Sequence, residues 1–168
     1  MVQSKSELRN WAKQKRKGLD KHTALVQALV KSDAYKKANH VMLFYPMKDE
    51  VDLLAILDDK TKKFFLPKVD GDDLLCCPYC AGDELCVSCF NTQEPTSNPV
   101  DSELIDLVIV PALAVDKNNY RLGYGGGFYD RFLRDKSVTK IVCIPKELIV
   151  ESVYPEKFDI PVDIVVTA

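Results

Sequence analysis

LIDLVIVPALAV, residues 104–115, carries a single charged side chain in twelve positions. A strand with one wet face alternates polar and apolar residues. A run this apolar suits a central parallel strand covered on both faces, and that reading sets the fold class. Downstream the pattern turns over regularly. RLGYGGGFYDR (121–131) is a glycine-rich loop, FYDRFLRD (128–135) a short helix, and KIVCIP (140–145) and VDIVVT (162–167) are further strands. Upstream, residues 4–17 form a helix with Leu8, Trp11 and Ala12 at helical spacing, and HTALVQALV (22–30) a second one around Leu25 and Leu29. Short apolar runs follow: HVMLFY (40–45), DLLAIL (52–57) and KKFFLPKV (62–69). EPTSNP (94–99) is a loop of turn residues. Strands alternating with helices predict a single α/β domain over residues 1–168, a mostly parallel sheet flanked by helices.

At 168 residues the chain buries roughly 70% of its unfolded surface without a covalent staple. Its 46% hydrophobic and 29% charged content is that of an ordinary globular protein. A formal net charge of −2 leaves no basic footprint for nucleic acid. MVQSKSELRN has no apolar signal core and no run of about 18 apolar residues occurs, so a cytoplasmic protein without a membrane span is expected.

Five of the six cysteines crowd into CCPYCAGDELCVSC (76–89), as two C-x-x-C pairs five residues apart. Tetrahedral zinc requires four converging ligands, but zinc ribbons separate their knuckles by a dozen residues or more. LLCCPYC and ELCVSCF around AGDE instead read as a local antiparallel hairpin whose cysteines serve as small apolar residues. A thioredoxin-like role for CPYC would need a helix after it. Cys143 reads as core, and His22 and His40 as a helix-start and a strand-entry residue.

RLGYGGGFYDR places four glycines in five positions, 123–127, at the carboxyl end of the most buried strand, where open α/β sheets bind ligands. Bare backbone there can approach an anion, and a helix starting near Tyr129 adds its positive end. Neither GxxxxGK[ST] nor GxGxxG is matched, because position 128 is Phe. A flexible turn is the plain alternative.

DLVIVPALAVDKNNYRLGYGGGFYDRFL (106–133) resembles the signature of the 5-formyltetrahydrofolate cyclo-ligase family, in which an apolar strand leads to R-L-G-x-G-x-G-[FY]-Y-D. KSELR (5–9), FYPMKDEVD (44–52), LPKV (66–69), QEP (93–95) and FDIPVDIVVT (158–167) fall in family order along nearly the whole chain. The resemblance implies a Rossmann-like sheet of the NagB/RpiA/CoA-transferase-like type. It also implies an ATP- and Mg2+-dependent ligase of one-carbon metabolism that cyclises 5-formyltetrahydrofolate to 5,10-methenyltetrahydrofolate; charge and hydropathy add no nucleic-acid or membrane partner, and the sequence leaves the oligomeric state open with a monomer slightly favoured. By the same resemblance, Lys5, Ser6, Glu7, Leu8 and Arg9 with Arg121, Leu122, Gly123, Tyr124, Gly125, Gly126, Gly127, Phe128 and Tyr129 bind ATP. Arg121, Lys5 and Arg9 are the catalytic cations, and Lys68 is a further phosphate contact. Tyr45 and Glu50 hold the folate, which residues 124–128 also border, while Asp130 and Asp159 hold magnesium.

Plain readings stand beside each of these. Lys5 and Arg9 would sit on a solvated basic helix with Lys13, Lys15, Arg16 and Lys17. Glu50 would start a helix, Lys68 would be an exposed strand end, and the two aspartates would be a helix-start and a turn residue. Many relatives carry Arg or Lys where this glycine loop has Tyr124 and Gly126, so positive charge is expected from Arg121, Lys5 and Arg9. Two other classes of function remain: a folate- or nucleotide-binding module without turnover, and a zinc-stabilised interaction protein using the paired C-x-x-C motifs. A phosphosugar isomerase or acyl-transfer enzyme on a similar scaffold is a further option, since fold alone does not fix chemistry.

Overall fold

The computed structural model describes residues 4–168. Helix α1 (Lys5–Lys15) starts at Ser4, whose hydroxyl accepts from the Glu7 N–H and caps the first turn. Helix α2 (His22–Lys31) follows, then a short α3 (Asp33–Lys37) capped by Ser32, which the sequence reading did not separate. Strands β1 (His40–Met42), β2 (Lys63–Asp70) and β3 (Asp73–Pro78) come next, then β4 (Leu85–Val87) and β5 (Gln93–Pro95). β6 (Leu107–Ile109), β7 (Ala114–Asp116) and β8 (Arg121–Leu122) lead to helix α4 (Phe128–Leu133), and β9 (Thr139–Ile144), β10 (Ile149–Val150) and β11 (Ile164–Thr167) complete the chain.

The main sheet runs β11-β9-β6-β1-β2-β3, parallel throughout except for the antiparallel β2–β3 pair. β6 lies between β1 and β9 with every residue buried, as the opening stretch predicted. Strand alternation divides the apolar side chains between two faces. Met42, Phe65, Val108 and Val142 join Leu8 and Ala12 of α1 and the residues of β7 and α4. Val41, Phe64, Leu107, Ile109 and Ile141 join Leu25 and Leu29 of α2.

Three expectations are corrected. LIDLVIVPALAV is two strands, not one, because Pro111 has no N–H to continue a ladder. The chain turns there, and β7 enters a separate three-stranded sheet, β10-β7-β8. DLLAIL is a 3₁₀ turn, Leu54–Asp58, rather than an extended run. The two cysteine segments do not pair with each other. β3 pairs with β2 around a tight turn at Gly71 (φ 61°), with Cys77 opposite Leu66, while β4 pairs with β5. Asp-Gly is a stronger hairpin signal than AGDE, and β2 offers a six-residue register against three for β4.

Cys76, Cys77 and Cys143 are buried as small apolar residues, and burial pushes the thiols of Cys76 and Cys143 up to about 12. Cys80, Cys86 and Cys89 are exposed. All six are free, and among the described residues no three His, Cys, Asp or Glu side chains converge to hold a metal, so the paired C-x-x-C motifs form no zinc ligand set. Among the described residues no helix is long and apolar enough to cross a membrane.

Candidate active site

A cavity of about 670 Å³ opens where α1, the glycine loop and the β2–β3 and β4–β5 hairpins meet. Arg121 anchors it. β8 pairs its backbone with Val115, which carries its side chain inward until only 9% of the residue is exposed. Its Nη1 donates to the Pro111 carbonyl at 3.2 Å, and the guanidinium lies 5.5 Å from the Tyr129 ring. The nearest carboxylate oxygen, on Asp130, is 3.7 Å from Nη2, and the buried Nε has no partner. Burial pushes this guanidinium below its ordinary pKa, against the opposing pull of Asp130. A buried cation so thinly paired costs free energy unless an anion joins it.

The bare glycines are explained by what lies on them. A Cβ at Gly123 would meet Arg121 Nη1 at 2.8 Å, and one at Gly127 would meet Arg131 Nη1 at 2.7 Å. At Gly125 the Arg9 guanidinium is 3.6 Å away, and at Gly126 the Phe128 ring is 2.8 Å away. Gly125 (φ 106°) and Gly127 (φ 70°) also adopt backbone angles that side chains disfavour. Arg9 Nε donates to the Gly123 carbonyl at 2.9 Å, and Arg131 Nη1 to the Gly126 carbonyl at 2.8 Å. Three arginines therefore lie against the loop, which sequence reasoning took only as a place for an anion to approach.

Helix α1 presents Lys5 and Arg9 to this cavity while Leu8 and Ala12 enter the core. Lys5 Nζ sits 2.5 Å from Asp159 Oδ2 and 3.2 Å from Glu156 Oε1. Burial alone would lower the Lys5 pKa, but the hydrogen bonds and charges of Asp159 and Glu156 outweigh it and hold it above 10.5. Asp159 moves the opposite way: burial would raise it, and Lys5, the Glu156 N–H and Arg121 hold it below 3.8. Asp159 and Asp130 both line the cavity, and the charges of both act on Arg121. Asp130 Oδ1 accepts from the Ile160 N–H at 3.1 Å.

Glu50 also lines this cavity and is 8% exposed. Its Oε1 accepts from the Met47 N–H at 2.8 Å, in a turn rather than at a helix start. Burial raises its pKa, opposed by Met47, the Tyr124 hydroxyl and the charge of Arg16. The Tyr124 ring is partly exposed, but its hydroxyl is tucked between Glu50 and Arg16, whose Nη1 donates to it at 2.6 Å. Tyr124 thus ties the glycine loop to the carboxylate, and Arg16 of the turn after α1 completes the tie.

The chain matches the 5-formyltetrahydrofolate cyclo-ligase family over residues 3–168. It belongs to that family. It is 30% identical to the 5-formyltetrahydrofolate cyclo-ligase of Escherichia coli (strain K12) over 142 residues, 77% of this chain and 78% of the relative. With the cyclo-ligase of Mus musculus it shares 26% identity over 66% of this chain and 61% of the relative, so the match spans under two thirds of that relative's length. The NMR structure of Aquifex aeolicus 5,10-methenyltetrahydrofolate synthetase superposes with a TM-score of 0.85 at 33% identity, covering 97% of this chain and 89% of the other. The Mycoplasma pneumoniae synthetase shares the fold, with a TM-score of 0.75 at 22% identity.

Of the residues that the cyclo-ligase resemblance singled out, Lys5, Arg9, Tyr45, Glu50, Asp130, Asp159 and residues 121–129 line one cavity. Ser6 and Glu7 sit on the exposed face of α1 and Leu8 in the core, and none of the three lines it; neither does Lys68. The solvated-helix reading holds for Lys13, Lys15 and Lys17, which are exposed, but not for Lys5 or Arg9. Sequence reasoning missed Arg131, Arg16, Phe90 and Glu94. Glu94 is a buried carboxylate in the cavity wall, 7% exposed, accepting from the Val69 N–H at 3.0 Å. Its position in QEP was the signal available. Magnesium fits the donor chemistry here as an ion shared with a ligand. Two carboxylates reach the Arg121 end of the cavity, and that ion ordinarily takes one or two carboxylates and completes its shell with water and phosphate oxygens.

Proposed function

We propose that this protein is an ATP-dependent 5-formyltetrahydrofolate cyclo-ligase, producing 5,10-methenyltetrahydrofolate, ADP and phosphate. The observation that carries the reading is the buried Arg121 guanidinium with its unpaired Nε, in one cavity with the buried carboxylate of Glu50. One end calls for an anion. The other offers paired acceptors to the amino and N3–H edge of a pterin, with Tyr45 alongside for its face.

The chemical obstacle is that a formyl oxygen cannot leave as N10 of the folate attacks the formyl carbon. Transfer of the ATP γ-phosphoryl to that oxygen converts it to a phosphate ester, and ADP leaves. N10 then adds to the carbon, the C–O bond breaks, inorganic phosphate departs and N10 loses its proton. The protein must hold two substrates in line and stabilise charge on the moving phosphoryl group. Arg121, with Lys5 and Arg9, supplies fixed positive charge from elements locked by packing. Asp130 and Asp159 would hold magnesium, which when bound would screen the phosphate charge. Lys5, held above its ordinary pKa by Asp159 and Glu156, stays protonated through neutral pH.

Protein mixed with Mg-ATP and 5-formyltetrahydrofolate should generate the near-ultraviolet absorbance of the methenyl product, and chelating the metal should stop it. Tight folate binding without product under any metal or pH would favour a binding module instead.

A further inference from the structure

We propose that Phe90 is a substrate-contacting residue that grips the p-aminobenzoyl ring of the folate against Phe128. This rests on the cyclo-ligase reading of the cavity. Phe90 lies between β4 and β5 and lines the cavity while 54% of it stays exposed. An aromatic ring left in water forfeits burial that a ligand can restore. The segment holding it is tied closed. Ser88 N–H donates to the Thr92 carbonyl at 2.8 Å, the two hydroxyls lie 2.7 Å apart, and the Phe90 N–H donates to Ser88 Oγ at 3.1 Å. These bonds fix the backbone that carries the ring.

Its neighbour is fixed as well. Phe128 meets Phe90 edge to face, centroids 5.5 Å apart at 72°. Its ring lies on the Gly126 backbone and is covered by the Arg131 guanidinium at 4.9 Å. Arg131 also donates to the Asp72 carbonyl at 2.9 Å, linking the β2–β3 turn to the glycine loop. Two edge-to-face rings at a cavity mouth are a seat for a flat aromatic group.

Both substrates contain such a group. Reaction takes place at the formyl carbon beside the glycine loop, and N10, the attacking atom, is bonded directly to the p-aminobenzoyl ring. Adenine is separated from the γ-phosphoryl by a ribose and two further phosphates. The ring next to Phe128, the residue with which α4 leaves that loop, is therefore the p-aminobenzoyl ring. Holding it orients the N10 lone pair toward the formyl carbon, so the contact serves both affinity and turnover.

The test compares Phe90→Ala, Phe90→Leu and Phe90→Tyr, each checked for native circular dichroism. Three ligands are used: 5-formyltetrahydrofolate, 5-formyl-6-methyltetrahydropterin as a fragment without the p-aminobenzoylglutamate, and a non-hydrolysable ATP analogue. Phe90→Ala and Phe90→Leu should weaken folate binding roughly three- to tenfold and lower kcat, and Phe90→Tyr should restore both. Fragment and nucleotide affinities should not change. Equal weakening of folate and fragment overturns the proposal, and a loss confined to the nucleotide assigns the ring pair to adenine. Unchanged folate affinity in Phe90→Ala, with wild-type protein active, overturns this inference alone. Wild-type protein that binds no folate overturns the cyclo-ligase reading, and this inference with it.

Discussion

Replacing Arg121 with methionine separates what this side chain does for the reaction from what it does for the fold. In the free protein its contribution to stability is a near balance. Losing the unpaired buried Nε–H relieves about 1–3 kcal/mol of desolvation. Against that stand the hydrogen bond to the Pro111 carbonyl, the cation over Tyr129 and the loose ion pair to Asp130 at 3.7 Å, together about 2–3 kcal/mol. Methionine has similar length and no polar atom to satisfy, so folding free energy should change by no more than about 1 kcal/mol, or roughly 2–4 °C in Tm. Turnover should fall about 10²–10³-fold, the cost of removing one preorganised charge-stabilising donor. Folate affinity, which the proposed function assigns to Glu50, should hold. Stopped-flow formation of the methenyl product gives kcat, and thermal unfolding with and without Mg-ATP gives the linked binding term, about 2.7 kcal/mol for wild-type protein at a hundredfold excess over Kd and less for the variant. A variant that kept kcat within fivefold, or that unfolded more than about 3 kcal/mol too easily, would show that Arg121 is a structural residue and that the cavity's positive charge lies elsewhere.

Three further outcomes follow from the same geometry. Gly123→Ala places a methyl 2.8 Å from Arg121 Nη1 and must push the guanidinium aside; kcat should fall about 10–100-fold with folate Kd unchanged, and equal loss in both would contradict the assignment. Because Glu50 has a raised folded-state pKa, its stabilising contribution is present below 4.5 and lost as pH rises through the folded value. Glu50→Gln should therefore be more stable than wild type at neutral pH by urea unfolding, converge with it below pH 4.5, and bind folate about tenfold or more weakly. Asp159 behaves in the opposite sense: its contribution is present above 3.8 and lost as pH falls through the depressed folded value. Asp159→Asn should cost about 1–2 kcal/mol at neutral pH, between the surface and buried limits for an ion pair, and flatten the acid limb of the stability curve; an unaltered acid limb would remove the Lys5 pair as its cause.

The sequence by itself determined the α/β class, the central position of residues 107–109 and the glycine loop that lines the cavity. Each of these follows from local pattern: an all-apolar strand cannot face water, and four glycines in five positions cannot be a helix or a packed strand. The family signature added Arg121, Glu50, Tyr45, Lys5 and Arg9 as a set, and one cavity holds them all. Only tertiary structure decided which strands pair across the cysteine segments, because β3 could satisfy its backbone against β2 or β4 and the choice lies in the turn at Gly71 and the length of the register. Only tertiary structure brought Arg16, Phe90, Glu94 and Arg131 to the same cavity or to the loop that borders it. Nothing in their neighbours' periodicity marks them, since Arg16 reaching from the end of α1 to the Tyr124 hydroxyl and Arg131 reaching from α4 to the Gly126 carbonyl are contacts between elements far apart in the chain or at the far side of a turn. Spacing along a sequence encodes faces and turns; which face meets which loop is settled by how the layers close over the core.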